Sequence, residues 1–246
     1  MRINFSTQTD NTYKIPTFKA NRRIVCDESG KMLYKTTSYM FRPDLNWDSF
    51  VKLLQEKYAN TKQVNIINHA CSNGAEPFSL VIKLISILGE KAQKFFPIKA
   101  KDIDEENIRR ARNGYIGIHN DEMYNMNEQM QGNIGKFLNY VPSRAMNDDL
   151  GVQPIMQVRE NIEFKRSDIF NDIDELPESN TVLLCRNFWP YLDTTKQELL
   201  AQKLAQKLDK TSLVAVGNFD SECNIDKLLT KNGFIPTNVE NVYTKH

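Results

Sequence analysis

A regular alternation of apolar runs and amphipathic segments restricts the fold of this chain more than any other feature. The predicted strands lie at 64–70, 98–103, 162–169, 182–186 and 213–217, with a last strand within 234–243. The predicted helices lie at 48–58, 76–88, 105–113, 194–208 and 225–231. Strands joined by helices form right-handed βαβ units, and wholly apolar runs such as 182–184 and 213–216 are typical of strands buried on both faces. The sequence therefore predicts an α/β fold with a mostly parallel, doubly wound sheet.

Two segments fall outside this alternation. Residues 1–35 are polar and irregular, with a predicted hairpin at 22–34, and we expect them to form an N-terminal extension. Residues 115–160 are rich in Gly, Met and Asn and have weak periodicity, which indicates an insertion or small subdomain. The remainder, 36–246, is expected to form the principal domain.

The composition excludes several classes of protein. Of the 246 residues, 40% are hydrophobic, which suffices for a core, and the net charge of +1 argues against nucleic acid as the main partner. The chain has no apolar run long enough for membrane insertion and no apolar core of a signal peptide at its N-terminus. Four cysteines and three histidines show no metal-ligand spacing, so we expect no metal and a cytoplasmic protein with reduced thiols.

One strand–turn–helix segment, residues 65–80, places a small-residue turn before a helix that begins with Glu76 and Pro77. Pro suits the first turn of a helix, and an acidic side chain there meets unpaired N–H groups and the positive end of the helix dipole. Doubly wound sheets bind ligands at such turns, although a plain connection accounts equally well for the segment alone. Gly74 is the only glycine of the turn, and Glu76 would repel a phosphate, so the turn does not match a phosphate-binding loop.

Polar residues also follow the other predicted strands. They are Asp102, Asp168, Arg186 and Asn187. Asp102 can accept hydrogen bonds from both hydroxyls of a ribose, while Asp168 and Asn187 can bind an adenine edge. Asp102 or Asp104 can instead cap the helix that follows, and one can cap while the other binds. A ligand with a ribose, a base and an ammonium group but no phosphate is S-adenosylmethionine (SAM).

Four blocks of the sequence carry a more specific resemblance. Ala-Cys-Ser-Asn-Gly-Ala-Glu-Pro-Phe-Ser at 70–79 resembles a Gly-Cys-Ser-x-Gly-Glu-Glu-Pro-Tyr-Ser signature, and Lys-Asp-Ile-Asp at 101–104 resembles Thr-Asp-Ile-Asp. Leu-Cys-Arg-Asn at 184–187 resembles Cys-Arg-Asn-Val, and Thr-Ser-Tyr-Met-Phe-Arg at 37–42 resembles Thr-x-Phe-Phe-Arg. The four signatures are those of the chemotaxis receptor glutamate methyltransferases, the CheR family. The blocks that resemble them occur in this chain in family order, and the resemblance covers roughly residues 36–246.

The resemblance implies a Rossmann-like class I methyltransferase fold with a seven-stranded type of sheet, and SAM as cofactor with S-adenosylhomocysteine (SAH) as product. It implies that Glu76 binds the methionyl ammonium group, that Asp102 binds the ribose, and that Asp168 and Ile169 border the adenine. The cofactor contacts that it implies are Thr36, Ser38, Arg42, Glu76, Asp102, Asp168, Ile169, Arg186 and Asn187.

Methyl transfer to a carboxylate needs no general base, because the carboxylate is already ionised at neutral pH. Catalysis then consists of alignment in a dry pocket. The catalytic candidates are Arg42 and Arg186, which can orient an acceptor carboxylate by bidentate contact, and Tyr191, which can line the pocket. For Trp189 and Tyr191, core packing is an equal alternative.

The chain also departs from the family. Ala75 replaces the first acidic residue of Glu-Glu-Pro, Gly-Asn-Phe-Asp at 217–220 replaces Gly-His-Ser-Glu, and residues 1–35 do not resemble the family's N-terminal helical domain. The leading hypothesis is O-methylation of protein glutamates, with a chemoreceptor as a candidate acceptor. The alternatives are an idle SAM- or SAH-binding regulatory or scaffold protein, and a small-molecule methyltransferase with 115–160 as a lid.

Overall fold

The computed structural model describes residues 24–26, 32–34, 38–144 and 149–246. The strands are β1 Ile24–Cys26, β2 Met32–Tyr34, β3 Asn65–His69, β4 Ile98–Asp102, β5 Ile116–Ile118, β6 Leu138–Val141, β7 Leu150–Pro154, β8 Ile162–Arg166, β9 Thr181–Leu184, β10 Leu213–Ala215, β11 Phe234–Pro236 and β12 Val242–Lys245. The helices are α1 Trp47–Lys57, α2 Ala75–Leu88, α3 Glu105–Asn113, α4 Asn120–Gln129, α5 Met156–Arg159, α6 Ile169–Asp172, α7 Thr194–Lys207 and α8 Ile225–Lys231. Each helix that the periodicity predicted lies within one residue of its observed bounds.

Seven strands form the main sheet in the order β11-β12-β10-β9-β3-β4-β8. The five strands from β10 to β8 are parallel, whereas β12 is antiparallel to β10 and β11 is antiparallel to β12. In chain order, β4 and β8 follow β3 on one side of it, and β9 and β10 then follow on the other side. The strand order therefore reverses between β3 and β9. Such a reversal opens a crevice at the carboxyl ends of the two strands. The predicted doubly wound α/β fold is confirmed.

The alternating direction of side chains along each strand divides the core into two layers. Ile66 packs in the cluster that contains the buried faces of α1 and α2. Its neighbour Ile67 packs in the cluster that contains the buried faces of α7 and α8. Because successive residues of a strand point to opposite faces, the apolar runs of the central strands supply both layers at once.

The end of the chain differs from the prediction. One strand was expected within 234–243, but two antiparallel strands, β11 and β12, form instead. The chain reverses between them at Asn241, which has a φ of 64°, and the N–H of Thr237 donates to the carbonyl of Val242 at 2.8 Å. The single-strand prediction was wrong because the residues between the two strands contain no glycine and no Asn-Gly pair to mark a turn.

The two irregular segments contain short sheets of their own. β1 and β2 pair in antiparallel fashion, as the predicted hairpin requires. Within 115–160, β5, β7 and β6 form a three-stranded antiparallel sheet, and α4 lies between β5 and β6 in the chain. The side chain of Asn125 in α4 donates to the carbonyl of Phe41 at 3.1 Å, which connects this small sheet region to the segment before α1. Among the helices described, none has the length and apolarity that crossing a membrane requires.

Gly74 closes the turn between β3 and α2 with a φ of 88°, and a Cβ at this position would lie 2.9 Å from the Phe78 ring and 3.1 Å from Ala111. We expect Gly74→Ala to lower the free energy of unfolding by about 2–4 kcal/mol, because it combines left-handed backbone strain with overpacking. Gly132 is the matched control, since it has a φ of 75° and no atom within 4 Å of such a Cβ. Gly132→Ala should cost about 1 kcal/mol from backbone strain alone.

Urea denaturation of both variants measures the difference between them. Equal losses of stability would show that the space around Gly74 accommodates a methyl group.

Candidate functional site

A cavity lies where β3, β4, β8 and β9 end, beside the reversal of strand order, and contains about 1110 Å³ of space including open solvent. The predicted site residues that line it are Ser38, Arg42, Glu76, Asp102, Asp168, Ile169, Arg186, Asn187 and Tyr191. Thr36 lies outside the described residues. The charged groups of the lining are the carboxylates of Glu76, Asp102, Asp104 and Asp168 and the guanidinium groups of Arg42 and Arg186. Carboxylates therefore outnumber cations, and the cavity favours a positively charged ligand.

Asp102, at the end of β4, holds the turn that follows β3. One carboxylate oxygen accepts the N–H of Ser72 at 2.8 Å, and the other accepts the N–H of Asp104 at 2.9 Å and the side-chain amide of Asn107 at 3.2 Å. Asp104 caps α3 by accepting the N–H of Glu106 at 2.9 Å. The two roles that the sequence left open are thus divided, with Asp104 as the helix cap.

Glu76 and Arg186 form the centre of a buried network of charges. Glu76 Oε1 accepts the side-chain amide of Asn68 at 2.8 Å, and Oε2 accepts Nη1 of Arg186 at 2.5 Å. The other terminal nitrogen of Arg186 donates to Asp44. The Arg186 side chain has no exposed surface, and its guanidinium lies 5.5 Å from the centre of the Trp47 ring. Because one guanidinium is paired with two carboxylates, the three groups together carry a net negative charge.

This geometry differs from the expectation that Arg186 orients an acceptor carboxylate. Both terminal nitrogens of Arg186 already donate to carboxylates of the protein itself. Binding an acceptor would require breaking a buried ion pair, which is strongly destabilising. Arg186 therefore lines the cavity as a group that holds Asp44 and Glu76.

Arg42 and Tyr191 line the cavity, and each lies close to an aromatic ring. The guanidinium of Arg42 lies 5.0 Å from the centre of the Tyr39 ring, and the Tyr191 ring lies 5.8 Å from that of Phe219. Burial raises the pKa of Tyr191, so its hydroxyl keeps its proton at neutral pH and can donate a hydrogen bond. Trp189, in contrast, is fully buried, and its indole N–H donates to the carbonyl of Cys185 at 3.0 Å. Of the two aromatic candidates, Tyr191 lines the cavity and Trp189 packs in the core.

Asp168 and Ile169 begin α6 at the far side of the cavity. Asp168 caps this short helix by accepting the N–H of Phe170 at 3.0 Å. Ile169 is only 6% exposed and presents an apolar surface to the cavity. An acidic edge beside an apolar face can hold a flat base with an exocyclic amino group.

The segment 217–220, which departs from the family pattern, fixes the backbone after β9. Asp220 accepts the backbone N–H groups of Gly217, Asn187 and Trp189 at 2.7, 2.8 and 3.1 Å. Burial raises the pKa of Asp220 to about 6. A Cβ on Gly217 would lie 2.3 Å from the side chain of Asn187, so glycine is required here. The acidic residue at the end of this segment therefore positions Asn187, a predicted cofactor contact.

Sequence reasoning missed a second buried group of charges beneath the cavity. Asp172 accepts Nζ of Lys101 at 2.8 Å, and Nε2 of His69 lies 3.6 Å from the same carboxylate oxygen. Burial, together with the positive charge of Lys101, lowers the pKa of His69, so the imidazole is neutral at physiological pH. His69 is also in the cavity lining. Its position at the end of β3 was the one signal in the sequence that could have indicated a role.

Comparison with known proteins identifies the family to which the chain is similar. A family model described as CheR methyltransferase, SAM binding domain, matches residues 36–232, a range that includes every residue of the cavity lining. A chemotaxis protein methyltransferase of Listeria innocua is 24% identical over 203 residues, which are 82% of this chain and 71% of that protein. The protein of the same name from Listeria monocytogenes is 22% identical over equal shares of both chains. That from Salmonella typhimurium is 26% identical over 157 residues, 63% of this chain and 51% of that protein.

The neutral state of His69 makes the stability of the fold depend on pH. An unfolded histidine ionises near pH 6.5, whereas His69 in the folded chain binds a proton only at lower pH. At this position the unfolded state therefore binds more protons below pH 6.5, and the contribution of His69 to the free energy of unfolding should fall by about 2 kcal/mol between pH 6.5 and pH 5. The raised pKa of Asp220 opposes this change over the same range.

Urea denaturation at several pH values tests this dependence. His69→Gln should remove the contribution of His69 from the pH dependence, while His246→Gln, at an exposed position, should leave the pH dependence unchanged. If His69→Gln keeps the full pH dependence of the unsubstituted protein, His69 is not the group responsible.

Proposed function

Because this chain belongs to the CheR methyltransferase family of SAM-dependent enzymes, we propose that it methylates carboxylate oxygens of glutamate side chains in an acceptor protein. The methyltransferase class and the cofactor follow from the family, and the glutamate acceptor is the proposed part. Similar proteins are named chemotaxis protein methyltransferases. We therefore propose a chemoreceptor-type protein, reached from the cytoplasm, as the acceptor.

The observation that carries the proposal is the surplus of carboxylates around the cavity. Glu76, in the first turn of the helix that follows β3, and Asp102, at the end of the adjacent parallel strand β4, both line the cavity. A phosphate-bearing cofactor would be repelled there, whereas an ammonium group and ribose hydroxyls find acceptors. This donor set fits SAM, with Glu76 proposed to bind the amino group, Asp102 the ribose, and Asp168 with Ile169 the adenine.

The chemistry of methyl transfer makes few demands on the protein. Bound SAM supplies an electrophilic methyl group on a positively charged sulfur. A glutamate acceptor is ionised at neutral pH and needs no base, so the neutral imidazole of His69 need not remove a proton. The chain's own residues have to align the acceptor, exclude water and favour the charge distribution of the reaction.

Arg42 and Tyr191 are the proposed groups for aligning the acceptor. The guanidinium of Arg42 can bind a carboxylate through two parallel hydrogen bonds, and the protonated hydroxyl of Tyr191 can donate a third. The side chains of Phe188 and Leu192 lie in the same lining and supply apolar surface that excludes water. Binding of a second anionic group beside Glu76 would be unfavourable without the positive charge of Arg42.

The proposal is tested by incubating the protein with SAM labelled in its methyl group and a bacterial lysate that contains chemoreceptors. We expect a labelled protein band whose label is released as methanol by mild base, because carboxyl methyl esters are base-labile. Label in the low-mass fraction would instead identify a small-molecule methyltransferase. Absence of label with intact SAH binding would identify an idle cofactor-binding protein.

A substitution at Arg42 tests the proposed alignment of the acceptor. Arg42→Met should lower kcat/KM for the acceptor by roughly ten- to hundredfold, since a charge-assisted hydrogen bond contributes about 1.5–3 kcal/mol. The dissociation constant of SAH, measured by calorimetry, should change by less than about threefold, which is under 1 kcal/mol. A large loss of SAH affinity with unchanged turnover would instead show that Arg42 binds the cofactor rather than the acceptor.

A further inference from the structure

The segment before α1 contributes a residue to the buried charge network that neither the periodicity nor the motifs identified. Asp44 Oδ1 accepts Nη2 of Arg186, and its Oδ2 accepts the side-chain amide of Asn187 at 2.8 Å. Oδ2 also lies 3.3 Å from the N–H of Asn218, and the Asp44 carbonyl accepts the side-chain amide of Asn241 at 3.0 Å. Asp44 therefore contacts the segments that follow β9 and β10 and the turn before β12.

We propose that Asp44 is a positioning residue for the amino acid end of the cofactor, acting through Arg186. By binding one end of the guanidinium, Asp44 leaves Glu76 with negative charge that is available to an ammonium group. This inference rests on the proposed cofactor site and adds to it a residue that does not itself line the cavity.

The balance of charge explains why a second carboxylate is needed. Without Asp44, Glu76 and Arg186 would form a neutral ion pair with little attraction for a cation. The side chains of Asp44 and Glu76 are only 8% and 14% exposed, and that of Arg186 has no exposed surface. In such a poorly solvated place, the loss of one unit of charge is only weakly screened by water and salt.

The hydrogen bonds of Arg186 also show that the guanidinium is shared between Asp44 and Glu76. Its two terminal nitrogens point to different carboxylates, so Glu76 receives one hydrogen bond from the guanidinium rather than two. The remaining nitrogen, Nε, has no hydrogen-bond partner among the described residues. The other oxygen of Glu76 accepts from the neutral amide of Asn68, so Arg186 is the cation that pairs with Glu76 in this network, through a single hydrogen bond.

Asp220 is a further acidic group whose charge interacts with that of Arg186. Because burial raises the pKa of Asp220 to about 6, measurements at pH 8 keep it ionised in every variant. A change in affinity at pH 8 then reports on Asp44 rather than on the titration of Asp220.

The test compares two ligands by calorimetry with the full chain at pH 8. One is SAH, and the other is the SAH analogue in which hydrogen replaces the amino group. The unsubstituted protein should bind SAH at least tenfold more tightly than the analogue. Asp44→Asn should weaken SAH binding at least tenfold, leave analogue binding within about twofold, and so close the gap between the two ligands.

Two further variants make the result decisive. Asp44→Ser retains one oxygen but no charge and should behave as Asp44→Asn does, which provides a second neutral variant if the first does not fold. Asp174→Asn is the control for loss of one acidic charge, because the Asp174 side chain is 73% exposed and pairs with Lys203 at the surface. It should leave both affinities unchanged.

The outcomes separate this inference from the proposed function. If the neutral variants weaken the binding of both ligands equally, or of neither ligand, Asp44 only supports the surrounding loops and the inference is overturned. If the unsubstituted protein binds neither ligand, the cofactor site itself is wrong, and the inference falls with it.

Discussion

A single buried guanidinium, that of Arg186, holds together the charged part of the cavity. It joins Asp44 from the segment before α1 to Glu76 from the first turn of α2, and Arg186 itself follows β9. Three parts of the chain that are distant in sequence are therefore fixed relative to one another by one side chain. A guanidinium buried at this depth has to be paired with carboxylates, because an unpaired buried charge is strongly destabilising.

The topology of the sheet is what allows this network to form. The strand order reverses between β3 and β9, so the residues that follow these two strands face each other across a crevice. β4 and β8 add Asp102 and Asp168 along the same edge. The surplus of carboxylates thus arises because the fold brings together the acidic residues that follow these strands. It distinguishes this crevice from one that binds phosphate groups.

Much of the fold could be predicted, because it depends on local pattern. Apolar runs and helix periodicity predicted five of the eight described α-helices to within one residue, whereas α4, α5 and α6 were not predicted. Parallel strands place their carboxyl ends together, which brought Asp102, Asp168 and Asn187 to one cavity. The reversal at Asn241 could not be predicted, since this Asn adopts a positive φ but is not followed by the glycine that marks a short hairpin turn.

The orientation of side chains within the site was harder to predict from the sequence. Asp44 and Arg186 are separated by 142 positions, and no periodicity relates residues at such a distance. The sequence alone could place Arg186 at the cavity, but whether it faces a substrate or the protein's own carboxylates depends on the packing of the segment before α1. His69 was missed for a similar reason, because its partners Lys101 and Asp172 come from different elements.

The most direct test of the account is a crystal structure of the protein with SAH bound. We expect the amino group of SAH to lie against the carboxylate of Glu76 and the ribose hydroxyls against Asp102, with Arg186 still bridging Asp44 and Glu76. A structure in which the amino group lies away from Glu76, or in which Glu76 and Asp102 do not share the ligand, would contradict it.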